Sequence, residues 1–509
     1  MRVLIFHGYL LRGTGSNEYN AALGEAFARN GHEVAMVSQD RAPLELPWID
    51  AAGDWDGGAL SLTARRDPAR AIAYRPDIGG ILPVYVADRY DGVTALPFDE
   101  LSDEQVEDYI ARNVAAVREV VARARPDVAL ANHLVMGPAI LARALEGTGV
   151  PYAVKVHGSA LEYTVKPYPR FMPAARAGLA PARGILVGSR HTAESLWAAL
   201  DDPAVTAKTR LGPPGVDVGH FTPREPQAAA AGLERLRAEL AAAPPEADAG
   251  SSFARSTAEA AAALGALDPA RDRIVVYIGK LIASKGVELL LAAWPLVRGR
   301  VPDARLLIVG FGAFRGALEG LATELARGDL DAARALRAED GRKLPELDAF
   351  LDSLGPEAAA YRAAAAGMTD EIHFAGRLDH GELTDVLPVT DAVAMPSTFP
   401  EAFGMVAAEA AACGAFPVVA GHSGMAEVAA SLAAAVDPQV RPWLTFQVGP
   451  HSVTQLAEDL ASWLEAPTAL RSATREQIVG VARERYSWDG VARKVVAAAE
   501  GRLDDLPLP

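Results

Sequence analysis

Residues 273–297 read RIVVYIGKLIASKGVELLLAAWPLV, and the fold follows from how this stretch divides. RIVVYIG is short, apolar and rich in β-branched residues, whereas VELLLAAWPLV is longer and helix-favouring, so the stretch is a strand, a loop and a helix. A parallel sheet is built from such units in series. The series continues with ARLLIVG, EIHFAG, DAVAMPS and FPVVAG. Toward the N-terminus, RVLIF, NAALGEAFARNG, EVAMVS, DVALANH, YAVKVHG and GILVGS show the same alternation. Two α/β domains in tandem are therefore expected.

The break between them is compositional. Residues 225–272 are rich in alanine, charge, proline, glycine and serine with no strand pattern, and read as a helical connection between residues 1–224 and 273–485. About sixty residues separate LLIVGFG from EIHFAG, so 313–370 reads as a helical insertion rather than a loop. The last stretch, 486–509, is one amphipathic helix with a polar tail.

Bulk properties exclude several function classes. Half of the 509 residues are apolar and 22% are charged, the balance of a globular protein. A net charge of −16 repels polyanions, so no nucleic-acid partner is expected and any phosphate must be held by a local cationic site. The single cysteine, Cys413, rules out an internal disulfide and suits a buried position. MRVLIFHGYLL reads as a first strand and not as a signal peptide, and no run of about 18 apolar residues is present, so a cytoplasmic location is expected.

Several residues could carry chemistry. Lys280 and Lys285 lie between a strand's carboxyl end and the helix that begins near Gly286, where two ammonium groups and the helix amides would suit a diphosphate; the plain alternative is a pair of solvated surface lysines. In PSTFPEAFGMVAAEAAACG, residues 396–414, Glu401 falls in a loop and Glu409 inside the helix that follows. Their spacing is too wide for a shared proton and fits two hydroxyl acceptors at the ends of an extended ligand. The amides of Gly404, Met405 and Val406 would then face the ligand's middle; the plain alternative is a cap and a surface charge. Gly13, Thr14, Gly15, Ser16 and Asn17 form a glycine-rich turn before a helix, but Glu18 occupies the third glycine position of a dinucleotide fingerprint. His157 ends a strand, and a structural role is the plain reading of it. Lys166, Arg170, Arg176, Arg183 and Arg190 make 151–190 locally basic, compatible with an anionic acceptor, with peripheral contact at the inner membrane face, or with scattered solvated charge.

Together these residues resemble the family 4 glycosyltransferases, retaining enzymes of the GT-B fold that use sugar nucleotides. EAFGMVAAEAAACG resembles the family's E-x7-E signature, GKLIASKG its phosphate-binding segment, FAGRL the strand-loop near the base, and HSGMAEV its G-G-x-x-E-V loop with Ser423 replacing the first glycine. GSRHTAESL and GPPGVDVGHF resemble passages that lead toward the linker. The resemblance spans nearly the whole chain apart from 225–272 and 313–370. It implies two Rossmann-like doubly wound domains facing across a cleft, with the C-terminal helix packed back on the first. It implies that Lys280 and Lys285 neutralise the donor diphosphate, Glu401 binds the transferred sugar and Glu409 the ribose diol. Arg377, Leu378, Phe403, Gly404, Met405 and Val406 complete the donor site, Gly13, Gly15, Ser16 and Asn17 a phosphate and acceptor loop, and His157 lies near the sugar. The implied activity is transfer of a hexose from a nucleotide diphosphate sugar, UDP before GDP, to a sugar, polysaccharide, small polar metabolite or lipid-linked glycan. No cofactor and no metal are expected. A non-catalytic nucleotide-sugar-binding protein, a sugar-nucleotide epimerase and a glycan phosphorylase remain alternatives. PSTFPE is one residue longer than the usual P-S-x-x-E, and Lys280 stands where arginine is frequent.

Overall fold

The computed structural model describes residues 1–13, 15–56, 58–85, 94–243 and 255–509. Thr14 of the glycine-rich turn and residues 244–254 of the expected connection lie outside the described residues. The chain forms two compact units: Met1–Gly215 with Tyr486–Pro509, and Val216–Arg485. Residues 216–224 and the connection thus belong to the second unit. There the helices Pro226–Ala242 and Thr257–Gly265 pack on each other, and the latter lies against the strand Ile372–Gly376.

In the first unit the strand Arg2–Phe6 is central, with Glu33–Val37 on one side and Val128–Asn132 on the other, all parallel. Beyond Val128–Asn132 come Tyr152–Val156, Gly184–Val187 and Thr209–Leu211; beyond Glu33–Val37 come Ala71–Arg75 and the antiparallel hairpin Ala51–Asp56/Ala59–Ala64. The central strands are buried on both faces, so they read as continuous apolar runs. Helix Trp488–Glu500 covers one face, where a Cβ at Gly184 would lie 2.8 Å from Ala498 O.

The second unit carries a six-stranded parallel sheet in the order Ile372–Gly376, Ala304–Val309, Arg273–Ile278, Ala392–Met395, Phe416–Ala420 and Thr445–Phe446. Helix Val287–Arg300 is apolar on nearly every side because it is buried on nearly every side, as the full burial of Trp294 shows. Trp463 stacks on Phe416 at 4.1 Å and donates its indole N–H to Asp391 O, while the Asp391 carboxylate accepts the Ile274 N–H at 3.1 Å. Residues 313–370 carry the helices Arg315–Arg327, Leu330–Arg334, Pro345–Ser353 and Ala358–Ala365. The chain reverses its direction of travel across the sheet between Arg273–Ile278 and Ala392–Met395, and ligands of open α/β sheets bind at such a point.

Candidate functional site

Every donor-side residue singled out in the second unit lies in a loop that leaves the carboxyl end of a strand or in the helix that follows such a loop. Lys280 follows Arg273–Ile278 and is exposed; Lys285 closes the 3-10 turn Ala283–Lys285 and is half-buried. Gly286 has φ +67°, and a Cβ there would fall 1.9 Å from Pro396 O. Only glycine allows this approach, which lays the lysine loop against the loop 396–401. The two loops are joined by Thr398 N–H to Ser284 O at 3.0 Å and by Ser397 Oγ, 2.9 Å from Ser284 O. Lys285 Nζ consequently donates to Glu401 Oε1, which Ser397 Oγ approaches at 2.9 Å. Within PSTFPE, Phe399 lies on the surface, 53% exposed.

Ser423 explains its own substitution. Its φ is +54°, a left-handed conformation that favours glycine, yet its hydroxyl accepts the Glu401 N–H at 2.8 Å. The hydroxyl lies 3.1 Å from His422 Nδ1, and His422 Nε2–H donates to Ser397 O at 2.9 Å, so Glu401 is held from both ends. Gly424 packs against the loop so closely that a Cβ would lie 2.6 Å from Ala402 O.

Helix Met405–Cys413 starts at Gly404 with no side chain capping it, which leaves first-turn amides at Met405 and Val406 for an anion. Glu409, one turn inside, is buried, and its Oε1 lies 2.8 Å from His380 Nε2. The His380 ring rests 4.9 Å from that of buried Phe221. Arg377 pairs with Asp379 at 2.7 Å, Leu378 is buried, and Phe403 is half-buried beside Gly404. Behind the lysine loop, Glu288 is buried with Oε2 lacking a partner among the described residues; burial first, then the charges of Glu346 and Glu339, pushes its carboxyl up to about 8. Among the described residues no group of three or more His, Cys, Asp or Glu is placed to hold a metal ion.

In the first unit, His7, His133 and His157 follow three adjacent strands, with rings 5.6 Å and 4.9 Å apart in that order. Asn132 Nδ2 donates to Phe6 O, which turns its Oδ1 to His157 Nε2 at 2.8 Å; the Nε2 therefore carries the proton and Nδ1 is an acceptor. Burial, then His133 and Lys155, holds the His157 imidazole well below its ordinary value and so neutral. Gly13, at φ +97°, gives its N–H to the Glu18 carboxylate at 3.0 Å, while Gly15 and Ser16 begin helix Gly15–Arg29 rather than a loop. The Asn17 side chain is buried, accepts from His7 Nε2 and donates to Arg12 O. Of the basic residues in 151–190, Lys166 pairs with Glu162, Arg170 with Asp103 and three carbonyls, Arg176 with Leu200 O and Arg190 with Glu194. Among the described residues no helix is long and apolar enough to cross a membrane.

Two family profiles match the chain: "Glycosyl transferase 4-like domain" over residues 14–207 and "Glycosyl transferases group 1" over 266–484. The chain belongs to the group 1 glycosyltransferases. This glycosyltransferase is 28% identical over 487 residues to the D-inositol 3-phosphate glycosyltransferase of Actinosynnema mirum, covering 91% of this chain and 96% of that one. It is 30% identical over 297 residues to the protein of the same name from Segniliparus rotundus, a match that spans 58% of this chain and only 47% of the relative. Among solved structures it resembles Anabaena HepE in complex with UDP and glucose, with a TM-score of 0.57 at 15% identity over 99% of this chain and all of that one, a likeness of fold: GT-B.

His380, Ser397, His422 and Ser423 were not assigned roles from the sequence. Ser397, His422 and Ser423 lie inside the matched motifs, and His380 two residues beyond FAGRL, but only the folded loops reveal their partners.

Proposed function

We propose that this glycosyltransferase moves a hexose from a nucleoside diphosphate sugar, a UDP-sugar before a GDP-sugar, to an acceptor hydroxyl with retention of configuration. The observation that carries the donor assignment is the gathering of Lys280, Lys285, Glu401, the Met405 helix start and Glu409 at the switch point of one parallel sheet. In this reading Lys280, Lys285 and the Met405 and Val406 amides bind the diphosphate, Glu401 accepts hydroxyls of the transferred sugar and Glu409 those of the ribose.

The bond between the sugar's anomeric carbon and the diphosphate oxygen breaks as the acceptor oxygen bonds to that carbon on the same face. The acceptor's proton passes to the departing phosphate oxygen. No protein nucleophile is needed; the lysines and amides stabilise the leaving group where its charge develops. His157 Nδ1, an acceptor, suits a sugar hydroxyl. Among acceptor classes, the names of the relatives favour a small phosphorylated polyol.

Thermal-shift measurements against a panel of nucleotide sugars and nucleoside diphosphates test this reading. A donor at a hundred times its Kd adds about 2.7 kcal/mol of stability. No stabilisation by any member of the panel overturns the donor assignment.

A further inference from the structure

The connection and the insertion, the two segments outside the motif pattern, both reach the rear of the donor loops. Arg255, just before the second connecting helix, has a side chain only 15% exposed; its Nη1 lies 3.0 and 2.9 Å from the Glu382 carboxylate oxygens and 3.2 Å from Asp379 Oδ2. Glu382 in turn accepts the Asp379 N–H at 2.6 Å. The turn held this way carries Arg377, Leu378 and His380, and so the partner of Glu409. One turn further on, Asp385 is held by Arg224 and Arg235, the latter from the first connecting helix.

The insertion acts at the other end of the site. A tight turn closed by Ala338 N–H to Arg342 O and Gly341 N–H to Ala338 O presents Glu339, whose Oε2 accepts the Ala283 N–H at 3.0 Å. Ala283 opens the turn that ends in Lys285. The two segments are also tied to each other. Arg315 of the insertion forks onto Glu259 of the connection, with Nη1 at 3.0 Å from Oε2, beside Gly376 at φ +66°.

We propose that these two segments are the outer support of the nucleotide site, with Arg255 positioning the nucleoside-side turn 377–382 and Glu339 positioning the diphosphate-side turn 283–285. The proposal rests on the donor reading given above. Removing Arg255 leaves Asp379 and Glu382 facing each other without their shared cation, and the turn loses its fixed course. Removing Glu339 releases the Ala283 amide and the lysine turn behind it.

The two supports are separable with ligands that differ by one phosphate. Calorimetric titration of the full chain with UMP and UDP, and with GMP and GDP, reads out Arg255→Ala, Arg255→Lys, Glu339→Ala and Glu339→Gln. Arg255→Ala should raise the Kd of monophosphate and diphosphate alike by about tenfold, and Arg255→Lys should recover part of the loss. Glu339→Ala should weaken the diphosphate severalfold and leave the monophosphate unchanged, while Glu339→Gln, whose amide oxygen still accepts the Ala283 N–H, should bind as the parent does. Unchanged affinities in both alanine variants overturn the proposal, as does an equal loss of both ligands in Glu339→Ala that glutamine fails to rescue. A parent chain that binds none of the four nucleotides overturns the donor reading itself, a result distinct from either.

Discussion

Gly286→Ala isolates the contact on which the donor site is built. The added Cβ meets Pro396 O at 1.9 Å and lies in a residue at φ +67°. Real Cβ contacts do not fall below about 3 Å, so the lysine loop and the loop 396–401 must part by roughly 1 Å or more. The left-handed conformation costs an alanine about 1–2 kcal/mol and the forced separation about 1–3 kcal/mol, together on the order of 3 kcal/mol. For a unit of this size that is a fall in melting temperature of roughly 6–12 °C. The parting also displaces the lysine loop from the loop 396–401 and breaks the Ser284 hydrogen bonds that fix its course, so UDP affinity should fall by about tenfold or more. Gly299→Ala, in the same helix with nothing within 4 Å of the added Cβ, is the control and should be neutral or stabilising by up to about 1 kcal/mol. Scanning calorimetry and UDP titration decide the matter. If Gly286→Ala melts within a degree of the parent and binds UDP as tightly, the close approach is not what assembles the site.

Other expectations follow from the same geometry. Glu288, raised to about 8 against an ordinary 4.5, keeps its proton in the folded chain where the unfolded chain loses it, so its contribution is intact below pH 4.5 and lost as pH rises through 8, on the order of 5 kcal/mol. Glu288→Gln should therefore flatten the fall in stability between pH 5 and 9, measured by urea unfolding; an unchanged slope refutes the buried neutral carboxyl. Glu409→Ala should raise the nucleotide Kd by about 10- to 100-fold, whereas Glu401→Ala, which frees Lys285 for the diphosphate, should lower kcat by about 100-fold with little change in nucleotide Kd; the reverse pattern exchanges their roles. Lys280→Ala should lower kcat/KM more than it raises the Kd for the intact nucleotide sugar, since its charge acts most on the departing diphosphate, and equal effects would show ground-state binding alone.

The α/β architecture was legible because strands buried on both faces become unbroken apolar runs, as in RVLIF and RIVVYI, with the helices between them at a second period. The hairpin Ala51–Asp56/Ala59–Ala64 was not read, since an exposed edge carries little apolar patterning: the second strand is exposed along most of its length. At the site, glycines and charges that leave strand ends could be named from spacing, because the chemistry of a phosphate constrains the residue type. Partners set by tertiary approach could not. Nothing in the sequence pairs His380 with Glu409, or turns Asn17 toward His7, because each contact depends on how separate strands and turns are set beside one another. Ser423 is intermediate: the departure from glycine was visible, but the hydrogen bond that compensates for it was not.

The insertion also bears on how the second unit forms. The hydrogen bond from Ile274 to Asp391 joins positions 117 residues apart, and it lies between the two strands whose ends carry Lys280 and Glu401. Closing a loop costs free energy that grows only with the logarithm of its length, so doubling the span adds about 0.6 kcal/mol. A segment of this size thus weighs little on equilibrium stability. Its cost is in time: neighbouring strands that meet across so long a separation pair late, and the ends they bring together cannot exist before that pairing does. Nucleotide binding is for this reason a reporter of completed folding, and a chain arrested before Ala392–Met395 docks should have its first strands and helices but no affinity for a diphosphate.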